Sequence, residues 1–395
     1  MERFGVGSEV GRLRSVLLHE PDLELTRLSP SNVHELLFDE IMWVERAQLE
    51  HRAFAQVLRE RGVEVLLLGD LLAEALAVEA ARKELLDRVV TIDAFGQGLV
   101  PDVREWFDSL PDRELARYLV GGVIPEDLPF PPQGLVGASF QPTTFVLPPL
   151  PNQIFMRDTS AWMYGGVSIN PMAFPARRRE TLHLEAVYRH HPVFASAEFP
   201  VWYGGDGLDH YPAVVEGGDL LVIGNRVLLV GMGERTSPQG VEALARRMFE
   251  AGALDSVIAV ELPKMRAYMH LDTVLTQVDR DAFVVFPGLR QRMRPFVVTR
   301  AAAGTSRSRP RTSCSPRSPA SWTFPASGPS RPAATSCSPR ASSGTTATTC
   351  WRSSPAWWWP TSATWTPTSG SATTGSRSSP SPASSWAGAA AVPAA

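Results

Sequence analysis

The feature that most constrains this chain is a break in residue usage near position 300. No Asp or Glu occurs after Asp281, and from Ala301 onward there is also no Leu, Ile, Met, Lys, His, Asn, Gln or Tyr. A segment without these residues has little from which to build an amphipathic helix or a packed core. Folding must therefore be carried by residues 1–300, a length that can bury a sizeable core. Residues 301–395 are mostly Ala, Ser, Thr, Pro, Gly, Arg and Trp, and are expected to be disordered. They hold seven of the chain's eleven Trp residues, with Trp357, Trp358 and Trp359 in a row. An ordinary Ser/Pro-rich linker avoids such large apolar surfaces, because in water they favour association.

Codon logic accounts for the oddity. Trp has one codon, TGG, so Trp357–Pro360 requires TGG TGG TGG CC. Regrouped one base earlier, those bases permit Val-Val-Val-Ala, a buried-strand sequence. Thr361 to Trp365 regroups to Tyr-Glu-Arg-Asn-Val, and Trp386–Ala395 to Gly-rich sequence ending Gly-Pro-Arg-Cys. We read 301–395 as a frameshift product, so the fold is expected to be incomplete at its C-terminal side.

The near-balanced charge, a formal net −3, speaks against a nucleic-acid or membrane-surface protein, both of which carry a basic excess. No apolar run approaches the ~18 residues that span a bilayer. The opening MERFGVGSEV lacks the basic-then-apolar pattern of a signal peptide. The three cysteines, Cys314, Cys337 and Cys350, all lie beyond residue 300 and indicate no disulfide framework. A cytoplasmic soluble protein is expected, with no nucleic-acid or membrane partner.

Within 1–300, Ser15–His19 reads as a strand, Trp43 to Arg61 as a helix stopped by Gly62, and Val63–Leu68 as a largely buried strand. From Leu71 to about Val123 the pattern is helical, and 71–149 is expected to be a helical insertion between 1–70 and 150–300. Short strands with Gly-rich turns follow from Asn152. Ala161–Ile169 carries Gly165-Gly166, and Leu220–Val230 a hairpin turn at Gly224-Asn225. Ser237 is placed to cap a helix Gln239–Glu250 ahead of a strand Val257–Leu262. Val274–Val278 and Phe283–Phe286 read as further strands. Strand, hairpin and helix recur at about 50–60 residue intervals, which suggests repeated β-β-α-β-like units.

Four clusters punctuate these units: Arg157-Asp158, Glu216-Gly-Gly-Asp219, Glu234-Arg235 and His270-Leu-Asp272. Singly, each has a bland explanation. The Arg-Asp and Glu-Arg dipeptides would be local ion pairs of little energetic value. Glu-Gly-Gly-Asp would be a turn whose glycines supply positive φ. His-x-Asp on a strand would put both side chains on one face, suiting a metal site or an acid/base pair. Together they mean more, because Asp158, Glu216 and His270 follow one another at about one unit per step and equivalent strand ends would converge on one point. Several carboxylates and one His, without a phosphate-binding glycine loop or Cys/His zinc spacing, suit a planar guanidinium. Arg177, Arg178, Arg179 and Arg235 could take an opposite charge, although the Arg run could equally be a solvated basic face.

The ordered set of motifs also resembles arginine deiminase over about residues 1–295. The resemblance is carried by Leu150-Pro-Asn-Gln-Ile-Phe-Met-Arg-Asp158, Asn170-Pro-Met172, Ala176-Arg-Arg-Arg-Glu-Thr181 and Glu216-Gly-Gly-Asp219. Gly231-Met-Gly-Glu-Arg-Thr-Ser237, Met269-His-Leu-Asp-Thr273, Ser8-Glu-Val-Gly and Leu36-Leu-Phe-Asp39 complete it. It implies a five-fold pseudo-symmetric α/β propeller (pentein) with a helical insertion. It also implies that Asp158 and Asp272 chelate the substrate guanidinium with Glu216 beside them, and that His270 is the general acid/base. Asn152, Phe155, Arg177 and Arg235 would bind the α-carboxylate and α-amine end of L-arginine, with Met42 lining the pocket. The implied reaction gives L-citrulline and ammonia through a Cys thiolate, with no metal or organic cofactor. A homo-oligomer is left open.

The nucleophile is where the sequence departs from the family. The expected Gly-Pro-Arg-Cys-Met-Ser context surrounds none of Cys314, Cys337 or Cys350. Little or no deiminase activity is expected of the chain as translated. A related amidinotransferase or dimethylarginine hydrolase shares the acidic cage, and a non-catalytic arginine-binding protein is the alternative of another class.

Overall fold

Apolar runs bounded by Gly and Pro become strands β1 (Ser15–Leu18) and β2 (Glu64–Leu67), which pair in parallel from Ser15↔Glu64 to Leu18↔Leu67. This computed structural model describes residues 4–141, 143–289 and 293–300, together with two strands farther along. The helix expected between β1 and β2 forms over Val44–Glu60 and ends before Gly62, whose φ of 74° is open to glycine at little cost. β2 stops one residue earlier than expected. Leu68, Leu71, Leu72, Ala75 and Leu76 already repeat at helical spacing, so Leu68 opens the helix Leu68–Leu76 and is wholly buried.

That helix and Glu79–Val89, Val100–Ser109 and Asp112–Gly121 make up most of the helical stretch. Their apolar faces do not form a separate core. Leu72, Phe107 and Leu115 belong to one buried cluster with Trp162, Val187 and Val230 of the sheet-bearing part.

Two β-β-α-β units follow. β3 (Ser160–Met163) and β4 (Gly166–Ile169) form a hairpin, the helix Glu180–His190 crosses over, and β5 (Val201–Gly204) returns parallel to β4. β6 (Leu220–Gly224) and β7 (Val227–Met232) form the next hairpin, followed by the helix Pro238–Glu250 and β8 (Ser256–Glu261) parallel to β7. A third hairpin joins β9 (Leu275–Asp279) to β10 (Ala282–Val285), and β11 (Arg294–Arg300) lies antiparallel to β8. The result is a mixed α/β fold of helices and several small sheets. Beyond residue 300, β12 (Thr312–Pro316) extends the β11 edge and β13 (Thr349–Arg352) pairs with β10. The rest of the segment expected to be disordered lies outside the described residues, Cys337 included. Among the described residues, no helix is long and apolar enough to cross a membrane.

The β6–β7 turn sits one residue later than expected, on Asn225 and Arg226, which both adopt positive φ (52° and 58°) while Gly224 pairs with Val227. The positive-φ requirement of a two-residue turn thus falls on Asn-Arg, a pair that a Gly-based search does not flag. Ser237 does cap its helix, its Oγ accepting the Gly240 N–H at 3.1 Å. Ser237→Ala is expected to lower unfolding free energy by about 1 kcal/mol in chemical denaturation, and an unchanged midpoint would remove the cap from the account.

Candidate active site

The site is built from chain ends that precede the three hairpins. Asp158 lies in the turn Met156–Thr159 before β3, Glu216 just ahead of the turn Gly217–Asp219 before β6, and His270 just ahead of the turn Leu271–Thr273 before β9. All three side chains are buried. His270 Nε2 lies 2.9 Å from Glu216 Oε2, and Nδ1 lies 3.7 Å from Asp158 Oδ1. Asp272 is half-buried in the 3-10 turn, not on a strand as the His-x-Asp spacing suggested.

The glycines of the second cluster have a different purpose from a turn's. Neither Gly217 nor Gly218 has positive φ. A Cβ on Gly218 would stand 2.7 Å from the His270 ring and 3.0 Å from Asp158 Oδ1, and one on Gly217 would stand 1.8 Å from the Arg157 carbonyl oxygen. Only glycine lets this backbone pass so close to the His–Asp pair.

Neither dipeptide is a local ion pair. Arg157 turns away from Asp158 and donates to both carboxylate oxygens of Glu9 at 2.9 and 2.6 Å. Arg235 ignores the exposed Glu234 and donates from Nη1 to Glu216 Oε2 at 3.2 Å. The Arg177–Arg179 run divides. Arg177 is buried, Arg178 is exposed, and Arg179 donates to the carbonyls of Leu119 and Pro148. Arg177 donates from Nη1 to Asp158 Oδ2 (2.6 Å), from Nε to Glu180 Oε1 (3.0 Å), and from Nη2 to Glu180 Oε2 (2.8 Å) and to the Asn152 carbonyl oxygen (3.0 Å). Most of its donors are thus engaged by the protein.

Asn152 anchors the wall of the site, its Nδ2 donating to the Leu36 carbonyl at 2.7 Å. Phe155 packs on Phe38 with ring centroids 6.3 Å apart, and half-buried Met42 joins Leu36 and Phe38 in a small apolar cluster. Sequence reasoning gave no role to two buried acids. Glu180 holds Arg177 from the i+3 position, the one signal that could have found it. Asp219 accepts the Leu271 N–H at 2.9 Å and so pins the peptide between His270 and Asp272.

Burial works against every charge here, so the balance of partners decides protonation. For His270, burial lowers the pKa, but Asp158, Glu216 and Asp219 outweigh it and raise it to about 10. Asp158 and Glu216 resist burial because His270, Arg177 and Arg235 favour their charged forms, and both fall below the ordinary carboxylate value. Burial prevails at Asp219, raised to about 7, at Glu180, raised to about 7, and at Asp272, raised to about 6.

These shifts predict a pH dependence of stability. A folded-state pKa of about 10 against an ordinary 6.5 means that the His270 contribution is complete below pH 6.5 and is lost as pH rises toward 10. The raised carboxyls are half-ionised near pH 7 and finish titrating about one unit above it. Melting temperature should therefore still fall from pH 8 to 10, above the carboxyl range, and a profile flat across that window would contradict a charged His270.

Asp158, Glu216 and His270 also offer three ligand atoms within 4.8 Å of one another, a group that could hold a metal ion. Two guanidinium groups already donate to those carboxylates, so a metal would compete with resident cations for the same oxygens. Asp272 is coupled electrostatically to His270, Asp158 and Arg157.

A family model described as arginine deiminase matches residues 34–315. Among solved structures, dimethylarginine dimethylaminohydrolase from Pseudomonas aeruginosa, a cysteine-to-serine variant complexed with citrulline, is 16% identical with a TM-score of 0.37, covering 68% of this chain and 67% of its own. A dimethylarginine dimethylaminohydrolase adduct with 4-chloro-2-hydroxymethylpyridine is 16% identical with a TM-score of 0.35, covering 68% and 66%. An amidinotransferase from Microseira wollei in the saxitoxin biosynthetic pathway is 15% identical with a TM-score of 0.34, covering 70% and 67%. The chain spans about two thirds of the length of each.

Proposed function

The chain belongs to the arginine deiminase family, and from that premise we propose that the buried cage is the guanidinium site of an enzyme type that hydrolyses L-arginine to L-citrulline and ammonia. The observation that carries the reading is the meeting of Asp158, Glu216 and His270, with half-buried Asp272 coupled to them electrostatically. Their acidity suits a planar cation whose N–H fork matches carboxylates bidentately. Arg235, with its Nε unpartnered, favours a substrate that also carries a carboxylate, whereas the Arg177 donors are largely taken by Asp158, Glu180 and Asn152. We take the β-β-α-β units to belong to a five-fold propeller, and the protein to act on free arginine in the cytoplasm.

In this mechanism Asp158 and Asp272 hold the guanidinium, and a thiolate attacks its central carbon to give a tetrahedral adduct. His270, protonated at neutral pH, gives its proton to the departing nitrogen, which leaves as ammonia. The now neutral imidazole takes a proton from water, and the resulting hydroxide attacks the thiouronium carbon. Collapse releases citrulline and returns the thiolate, and the hydroxyl proton passes to the released ammonia, giving ammonium. None of Cys314, Cys337 and Cys350 has the family's sequence context for that thiolate, so the 395-residue polypeptide is read as binding arginine without turning it over.

Calorimetric titration tests the binding half. L-arginine is expected to bind one-to-one, L-lysine at least about tenfold more weakly because a point-charge ammonium cannot fork between two carboxylates. Equal affinity for the two, or none for arginine, would refute the guanidinium assignment.

A further inference from the structure

We propose that Phe174 is a positioning residue that fixes Arg235 for the anionic end of the substrate, so that the aromatic ring helps set selectivity for carboxylate-bearing guanidines. The inference rests on the reading of the cage as an arginine site. Arg235 is 3% exposed, yet it has one partnered nitrogen in view: Nη1 on Glu216. Its buried Nε has no hydrogen-bond partner. A buried guanidinium with an unused donor is costly unless something else stabilises it or a ligand completes it.

The Phe174 ring supplies the first of these. The guanidinium carbon of Arg235 lies 4.4 Å from the ring centroid, close enough for the negative face of the ring to attract the cation. A ring over the guanidinium makes no claim on its in-plane N–H groups, and Nε is left for an acceptor. The same segment is fixed at both ends. Ala173 donates its N–H to Glu216 Oε1 at 3.2 Å, and the Phe174 carbonyl accepts the Arg177 N–H at 3.0 Å. Glu216, Phe174 and Arg235 thus close a ring of contacts that holds the guanidinium in one orientation. Arg177, with its donors committed to Asp158, Glu180 and Asn152, is less free to take a ligand carboxylate.

Phe174→Leu keeps apolar bulk and removes the π face; Phe174→Tyr keeps the ring. Affinities of the full chain for L-arginine and for agmatine, which lacks the carboxylate, are compared by calorimetry. Phe174→Leu is expected to weaken L-arginine about tenfold and leave agmatine unchanged, while Phe174→Tyr changes neither. Preserved agmatine binding also shows that the variant folds. Equal loss of both ligands, or loss of neither, would overturn the proposal. If the unmodified chain binds neither ligand, or both equally, it is the arginine reading of the site that fails.

Discussion

Incubated with L-arginine, the 395-residue polypeptide is expected to release no citrulline above the uncatalysed background. The cage supplies electrostatic stabilisation and His270 supplies proton transfer, but the covalent route begins with a thiolate. Loss of a nucleophile from a covalent mechanism costs on the order of 10⁶ in turnover, and positioning alone does not restore it. A polypeptide whose residues from about 300 follow the regrouped frame, ending Gly-Pro-Arg-Cys-Met, should by contrast release citrulline. Citrulline from the present polypeptide in a colorimetric assay, abolished by Asp158→Asn, would show that another group serves as nucleophile.

The second large effect concerns stability. Glu216 is wholly buried and is the shared counter-ion of His270, Arg235 and, at 3.9 Å, Arg177. Its removal leaves buried His270 and Arg235 without their shared carboxylate, with Asp158 still contacting both His270 and Arg177. Breaking a buried ion pair from one side costs about 3–5 kcal/mol, so Glu216→Ala should lose about that much in denaturant unfolding. Glu216→Gln preserves volume and one acceptor and should lose less. A Glu216→Ala protein as stable as the unmodified chain would mean that the cluster does not hold its charges as described.

Much of this was legible in the sequence, for identifiable reasons. Strands β1 and β2 and the helix between them follow from apolar runs and one glycine stop, because local periodicity determines which face is buried. The clusters at Asp158, Glu216 and His270 could be singled out because charged residues beside apolar strands stand out. Their meeting could be argued only from unit spacing.

What stayed hidden depends on partners distant in the chain. That Arg157 would pair with Glu9 and Arg235 with Glu216, and that neither would pair with its neighbour, cannot be read from dipeptides. The close approach that requires Gly218 is hidden for the same reason, since it is set by the His270 ring, 52 positions later. Leu68 and the Asn225-Arg226 turn show the smaller failure, in which an element's type is correct and its boundary shifts.

The most direct test is a crystal structure of the full chain grown with L-arginine, which a non-hydrolysing protein should hold intact. The account predicts the ligand guanidinium between Asp158 and Asp272, within hydrogen-bond distance of both and beside His270, with its carboxylate at Arg235. Arginine bound elsewhere, or a cage left to Asp158, Glu216 and Arg177 alone at saturating ligand, would contradict it.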